Sequence, residues 1–384
     1  MELTKEEMKR YARQLVLPEI GQEGQLRLKS ARILIVGTGG LGSPAAVYLS
    51  AAGVGTLGVV DFDKVELSNL HRQIIHGTDD IGQPKVISAK EKIARLNPEV
   101  KVIPRETRLN SQNALEILKN YDFIIDGTDN FITRYLINDA CILLGKPFVY
   151  GGIFRFEGQL SVFGLKNGPC YRCFFQEPPS SGEIPSCAEA GVLGVLPGTM
   201  GVLQANETIK MICGIGTPLK GRLLIFDALA TRFREVQIPK DPHCPMCSAN
   251  RTIHKLGEYT PIGCALSPSQ KESPSENRIP EATVQELKQK LLDSPQKIYI
   301  LDVRDQKEWE IAHIEGAVLK PLSTLKENYQ DIPKDKPVYV HCKLGGRSFQ
   351  AVEFLKTKGY TNCINVKGGI DAWAEEIDPP MPRY

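Results

Sequence analysis

Long uninterrupted hydrophobic runs are missing from this chain of 384 residues. The longest apolar stretch, Pro44 to Val60, is broken by Gly53, Gly55 and Gly58, so it reads as a helix, a turn and a buried strand rather than a membrane span. The first ten residues are charged and lack the apolar core of a secretory signal. An excess of one charge is missing too. With 47 basic against 45 acidic residues, the formal net charge of +2 gives no bulk electrostatic case for a nucleic-acid or membrane partner. No Gly-x-x-x-x-Gly-Lys-[Ser/Thr] loop occurs, which excludes a P-loop ATPase. Internal repeats and low-complexity tracts are absent as well. The ten cysteines would suit a disulfide framework only in a short secreted chain; here they favour metal ligation and catalysis in a cytosolic protein.

What is present alternates. Arg32–Gly37 is a continuous apolar run, as expected of a parallel strand covered on both faces. Further strands are expected at 56–61, 100–103, 123–126 and 147–150, separated by helical stretches at 41–52, 84–96, 111–119 and 131–144. The pattern predicts an α/β fold with a Rossmann-like, doubly wound sheet. From Gly158 onward the strands (159–163, 222–226, 232–238) crowd together, which predicts an antiparallel extension. Residues 250–278 hold Ser, Pro and Glu without a long apolar run and read as a linker. A second, small α/β unit over 279–384 has strands at 298–303, 337–341 and 363–366. The domains are thus expected at 1–249 and 279–384.

Gly37-x-Gly39-x-x-Gly42, with Gly40 inside it, follows the first strand and opens a helix. That is the context in which glycines allow a tight turn and close approach of the backbone to phosphate. Asp61 ends the next strand, where a carboxylate can accept ribose hydroxyls. These residues alone would read as an NAD-dependent oxidoreductase. Arg72 and Lys85 change that reading, since fixed cations near the loop serve charge on a triphosphate and not hydride transfer. Asp129, within Asp126-Gly-Thr-Asp-Asn130, offers a carboxylate for Mg²⁺ through water and phosphate oxygens, although singly it reads as a helix cap. Cys170-x-x-Cys173 and Cys244-x-x-Cys247 are two thiolate hooks whose four sulfurs suit structural, tetrahedral Zn²⁺. Cys187 follows a Pro/Ser/Gly-rich loop, from which a thiol can visit an activated carboxyl group.

The half from Met1 to about Cys247 resembles the ubiquitin-activating-enzyme-like adenylyltransferases of the MoeB/ThiF type. The residues that carry the resemblance are Arg13-Gln14, Gly39-Gly40-Leu41-Gly42, Asp61-Phe62-Asp63, Asn69-Leu70 with Arg72-Gln73, and Asp126 to Asn130. It implies that Asp61 binds ribose, that Asn69, Arg72 and Lys85 bind the phosphates of ATP, and that Asp129 binds the metal. Gln73 and Asn130 complete the nucleotide set. The resemblance further implies zinc at the four cysteines, a covalent bond to the carrier at Cys187, and a homodimer in which Arg13 reaches the partner's triphosphate.

In the second half, His341-Cys342-Lys-Leu-Gly-Gly-Arg347 sets a cysteine at a strand end, on a loop leading into a helix. Backbone N–H groups, the helix dipole and Arg347 would all favour a thiolate or a persulfide anion there. Tyrosine phosphatases have a similar loop with five residues between Cys and Arg; the four here make a tighter cradle, suited to sulfur. Residues 279–384 resemble a rhodanese domain, with support from Leu301-Asp-Val-Arg304, Glu308, His313-Ile314 and Gly368-Gly369; Ala312 and Glu315 depart from its pattern. Together the two resemblances imply adenylation of the C-terminal glycine of a ubiquitin-like sulfur carrier ending in Gly-Gly. Sulfur from a thiosulfate or persulfide donor would then pass through Cys342, giving a thiocarboxylate. Carriers of this kind serve molybdopterin, thiamine, cysteine and tRNA thiolation. The alternative is an activator of protein conjugation through a thioester at Cys187, with the rhodanese domain as a docking module.

Overall fold

The computed structural model describes residues 2–177, 191–257, 259 and 279–383. Cys187, Cys264 and most of the expected linker lie outside them. The described residues form two compact units, one on each side of residues 260–278.

The first unit is built on one sheet: β1 (Arg32–Val36), β2 (Thr56–Asp61), β3 (Lys101–Glu106), β4 (Phe123–Asp126), β5 (Phe148–Phe154), β6 (Glu157–Phe163), β7 (Arg222–Asp227) and β8 (Arg232–Gln237). Their order is β3-β2-β1-β4-β5-β6-β7-β8. The first five run parallel, and β5 through β8 pair antiparallel as the crowded strands imply. All of β2 and the last four residues of β1 are buried, as required of parallel strands covered on both faces. Chain order reverses between β1 and β4, and Val36 stands level with both Val60 and Asp126. Loops leaving these strand ends therefore meet at the switch point, where open α/β sheets bind ligands.

Two helices matter most here. Gly42–Ala52 starts directly from the glycine loop and ends at Gly53, whose φ of +84° closes it in the left-handed region. Phe131–Leu144 starts at Asn130, whose Oδ1 accepts from Thr133 N–H at 2.9 Å, and ends at Gly145, φ +66°. The expected third strand is longer than the sequence pattern indicated, reaching Glu106, because β2 continues to pair with it through Asp61. Start of the expected linker packs on this unit: Leu256 and Tyr259 lie against its core, and the Tyr259 hydroxyl donates to Asp139 at 2.7 Å.

The second unit has five parallel strands in the order β11-β10-β12-β13-β9: β9 (Glu281–Ala282), β10 (Tyr299–Asp302), β11 (Ala317–Leu319), β12 (Val338–His341) and β13 (Cys363–Val366). Sequence reading identified three of them. The other two have two and three residues, too short to show any period. Cys141, Cys213 and Cys363 are buried, in keeping with small apolar residues.

Candidate functional site

The glycine loop is held by contacts that leave no room for a side chain at Gly37, Gly40 or Gly42. Gly37 has φ +88°, and a Cβ on Gly42 would stand 1.9 Å from the Gly37 carbonyl oxygen. A Cβ on Gly127 would meet the same oxygen at 2.5 Å, so the Asp126–Asn130 loop abuts the glycine loop. Asp61 is buried and points back at it: Oδ2 accepts from Thr38 N–H at 2.8 Å and Thr38 Oγ1–H at 2.9 Å. Asn69 ends a short 3₁₀ turn, and its carbonyl receives the N–H groups of Arg72 and Gln73. Arg72 lies over Gly40, since a Cβ there would sit 3.6 Å from its Cγ. Gln73 is 4% exposed, and its buried Oε1 has no hydrogen-bond partner. Its Nε2 would be the nearest atom to a Cβ on Gly39. Lys85 opens a helix and is clamped by Asp63, whose carboxylate accepts from Nζ at 3.0 Å.

Asp129 and Arg13 are both exposed. Asn130 spends its side-chain oxygen on the helix cap, so the cap falls one residue later than Asp129. Helix Val195–Cys213 passes over the same loops: a Cβ on Gly201 would strike the Leu41 carbonyl oxygen at 2.2 Å, and one on Gly40 would strike Pro197 at 2.9 Å. Three residues that sequence reasoning missed complete the scaffold. Gln204 Nε2 donates to the carbonyls of Asp126 and Val149. Arg134 donates to the buried Asp126 carboxylate at 3.3 Å, opposing the upward push of burial on that group. His76 joins Ser88 Oγ (2.8 Å) to the Thr38 carbonyl (3.3 Å), with burial holding its pKa below the usual value. Nothing in the sequence separates these from ordinary polar residues, because each role depends on a distant partner.

The four cysteines of the two hooks converge, with all sulfurs within 4.8 Å of one another. Cys170 and Cys244 are 3.5 Å apart, and Cys173 and Cys247 3.4 Å. A tetrahedral ion with Zn–S bonds of about 2.3 Å separates its sulfurs by about 3.8 Å. The donor set therefore fits a bound metal ion. Arg172, inside the first hook, is held by both Asp139 oxygens at 2.8 Å.

In the second unit Cys342 follows β12, and Gly345, φ +105°, caps the helix Gly346–Thr357. Cys342 is buried, and its Sγ accepts from the Gly345 N–H at 3.1 Å. Both terminal nitrogens of Arg347, five residues after Cys342, donate to Glu308, at 2.6 and 2.7 Å. Burial pushes the Glu308 carboxyl up, but the Arg347 hydrogen bonds prevail and hold it below its usual range.

Residues 11–246 match the ThiF family, and residues 283–376 match the rhodanese-like domain. A Mycobacterium tuberculosis protein named "Probable adenylyltransferase/sulfurtransferase MoeZ" is 45% identical over 390 residues, covering 100% of this chain and 96% of its own length. The "Adenylyltransferase and sulfurtransferase MOCS3" of Bos taurus is 42% identical over 404 residues, covering 100% of this chain and 89% of its own. Among solved structures, a crystal structure of E. coli MccB has TM-score 0.57 at 21% identity, covering 62% of this chain and 74% of that one; the likeness is one of fold. No helix among the described residues is long and apolar enough to cross a membrane.

Proposed function

This chain belongs to the ThiF family and carries a rhodanese-like domain, and we propose that it activates and then thiolates the C-terminal glycine of a ubiquitin-like carrier protein. Residues 1–249 would perform the first step and residues 279–384 the second. The carrier carboxylate attacks the α-phosphorus of ATP; pyrophosphate leaves, and an acyl-adenylate forms. Such a step calls for alignment and charge neutralisation more than for a protein nucleophile. Gly39, Gly40 and Gly42 let the backbone approach the phosphates, Asp61 takes the ribose, and Asn69, Arg72, Gln73 and Lys85 hold the triphosphate. Gln73 Nε2 is the side-chain atom nearest the loop at Gly39, and an amide N–H there suits a phosphate oxygen as acceptor. Asp129 and Asn130 lie at the adjoining loop, where Asp129 would hold Mg²⁺. Arg13, exposed, would serve a second copy of the chain in a homodimer.

Sulfur then enters through Cys342, which takes it from thiosulfate or another persulfide donor. The Cys342 persulfide attacks the acyl carbon, AMP leaves, and an acyl disulfide results. A thiol, Cys187 in this reading, attacks Cys342 Sγ and releases the thiocarboxylate; an external thiol reduces the Cys342–Cys187 disulfide left behind. Cys170, Cys173, Cys244 and Cys247 would hold Zn²⁺ as a structural cross-link. Free thiols of this kind belong in a reducing compartment, the cytoplasm.

One observation carries the reading. A chain with a cation-flanked glycine loop at a sheet switch point also holds a thiol aimed at by a backbone N–H at a helix start. The test is the intact mass of a Gly-Gly-ended carrier after incubation with the full chain, MgATP, thiosulfate and reductant. One carboxyl oxygen should be replaced by sulfur, and Cys342→Ala should abolish this while leaving ATP–pyrophosphate exchange intact. An unchanged carrier beside normal AMP formation would overturn the coupled reaction, and a carrier trapped on Cys187 would favour conjugation.

A further inference from the structure

Cys342 Sγ has a second polar neighbour besides Gly345. Ser348 Oγ lies 3.5 Å from it, buried, in the first turn of the helix Gly346–Thr357. A hydroxyl has one proton to donate. Ser348 has three acceptors around it: Asn365 Oδ1 at 2.7 Å, the Gly345 carbonyl at 3.0 Å and Cys342 Sγ. The orientation of Asn365 is set from the far side. Its Nδ2 donates to Glu281 Oε1 at 3.2 Å, and since a carboxylate only accepts, Oδ1 must face Ser348. Asn365 and Glu281 stand opposite each other in the β13–β9 ladder, which holds this arrangement.

We propose that Ser348 is a catalytic hydroxyl rotor: its O–H rests on Asn365 while Cys342 is a thiol and swings onto the sulfur when the thiolate or persulfide anion forms. Asn365 is the positioning residue that competes for the same proton. In the resting state the oxygen of Ser348 presents a lone pair to the Cys342 S–H. After ionisation the Ser348 O–H and the Gly345 N–H both point at the anion and stabilise it. The thiolate then attacks the outer sulfur of thiosulfate; the sulfur–sulfur bond of the donor breaks, its electron pair leaves on sulfite, and Cys342 is left as the persulfide anion.

Several charged groups around the loop are paired with one another. Arg347 is paired with Glu308, Asp302 with Arg304, and Asp371 with Arg383. His341, directly before Cys342, is buried 3.6 Å from Asp302 with its pKa held down by burial, and Lys343 is buried on the loop itself. Glu281 reaches the sulfur only through Asn365 and Ser348.

The inference rests on the sulfurtransferase reading, and the test separates the two. It is the pH profile of kcat/KM for thiosulfate, with cyanide as acceptor, in the full chain; this profile reports the ionisation of the free enzyme thiol. Ser348→Ala should move the midpoint up by about one to two pH units, the worth of one hydrogen bond to an anion. Ser348→Thr, which keeps the hydroxyl, should restore it. Asn365→Ala should move the midpoint down, by up to about one unit, because the competing acceptor is gone. Opposite shifts from the two alanine variants would not follow from a structural role. Lower rates with an unmoved midpoint in both would overturn the rotor, and absence of any thiosulfate turnover in the unsubstituted chain would overturn the sulfurtransferase reading beneath it.

Discussion

A Cβ at Gly42 would lie 1.9 Å from the Gly37 carbonyl oxygen, whereas one at Gly39 would have nothing nearer than Gln73 Nε2 at 3.8 Å. The first glycine is demanded by the fold and the second only by whatever approaches the loop. Gly42→Ala should therefore displace the loop, lowering both the melting temperature and ATP affinity. Gly39→Ala should leave the melting temperature unchanged and weaken ATP binding by roughly tenfold or more, since a Cβ there would hold a phosphate off the backbone and cost at least one charge-assisted hydrogen bond. Calorimetric melting beside an ATP titration would distinguish them; unaltered ATP affinity in Gly39→Ala would remove that residue from the nucleotide site. Fingerprint spacing in the sequence marks both glycines equally, because the close approach to the Gly37 oxygen is a three-dimensional fact.

At the level of elements, the pair Glu308–Arg347 joins the helix Gln306–Ile311 to the helix Gly346–Thr357. Its carboxyl is held below the ordinary value of 4.5 even though burial alone would raise it. A depressed carboxylate pKa gives stability that is present above the ordinary value and lost as pH falls through the folded-state value. The second unit should thus weaken on acidification below about pH 4.5, and Glu308→Gln should destabilise it by about 1–3 kcal/mol at neutral pH while removing part of the acid sensitivity. Both tryptophans, Trp309 and Trp373, fall in this unit, so tryptophan fluorescence follows it alone. An identical pH dependence of the fluorescence melt in the variant would show that the pair carries none of it. Glu308 was visible in the sequence as part of the rhodanese resemblance. That it would lock Arg347 was not, since 39 residues separate them.

For the whole molecule, the four-cysteine knot ties segments 74 residues apart within the first unit. Metal removal by a chelator should lower the first unit's melting transition, read by circular dichroism, because a closed loop that long opens without its cross-link. The tryptophan transition and thiosulfate sulfur transfer at Cys342 should persist. Loss of both together would show that the two units do not respond independently.

Local order alone suffices for the elements with a strong signal: the glycine loop after an apolar strand, Asp61 one strand later, the paired thiolate hooks, and a cysteine between a strand and a helix. Each is written in spacing that survives any packing. What joins them is set by packing. It set Gly127 against Gly37, linked His76 to the Thr38 carbonyl, left the Gln73 oxygen unsatisfied at the loop, and ran a hydrogen-bonded line from Glu281 through Asn365 and Ser348 to Cys342. It also supplied β9, too short to read in advance, whose pairing with β13 aims Asn365. Local periodicity encodes which face of an element is buried; it does not encode which distant side chain will be found there.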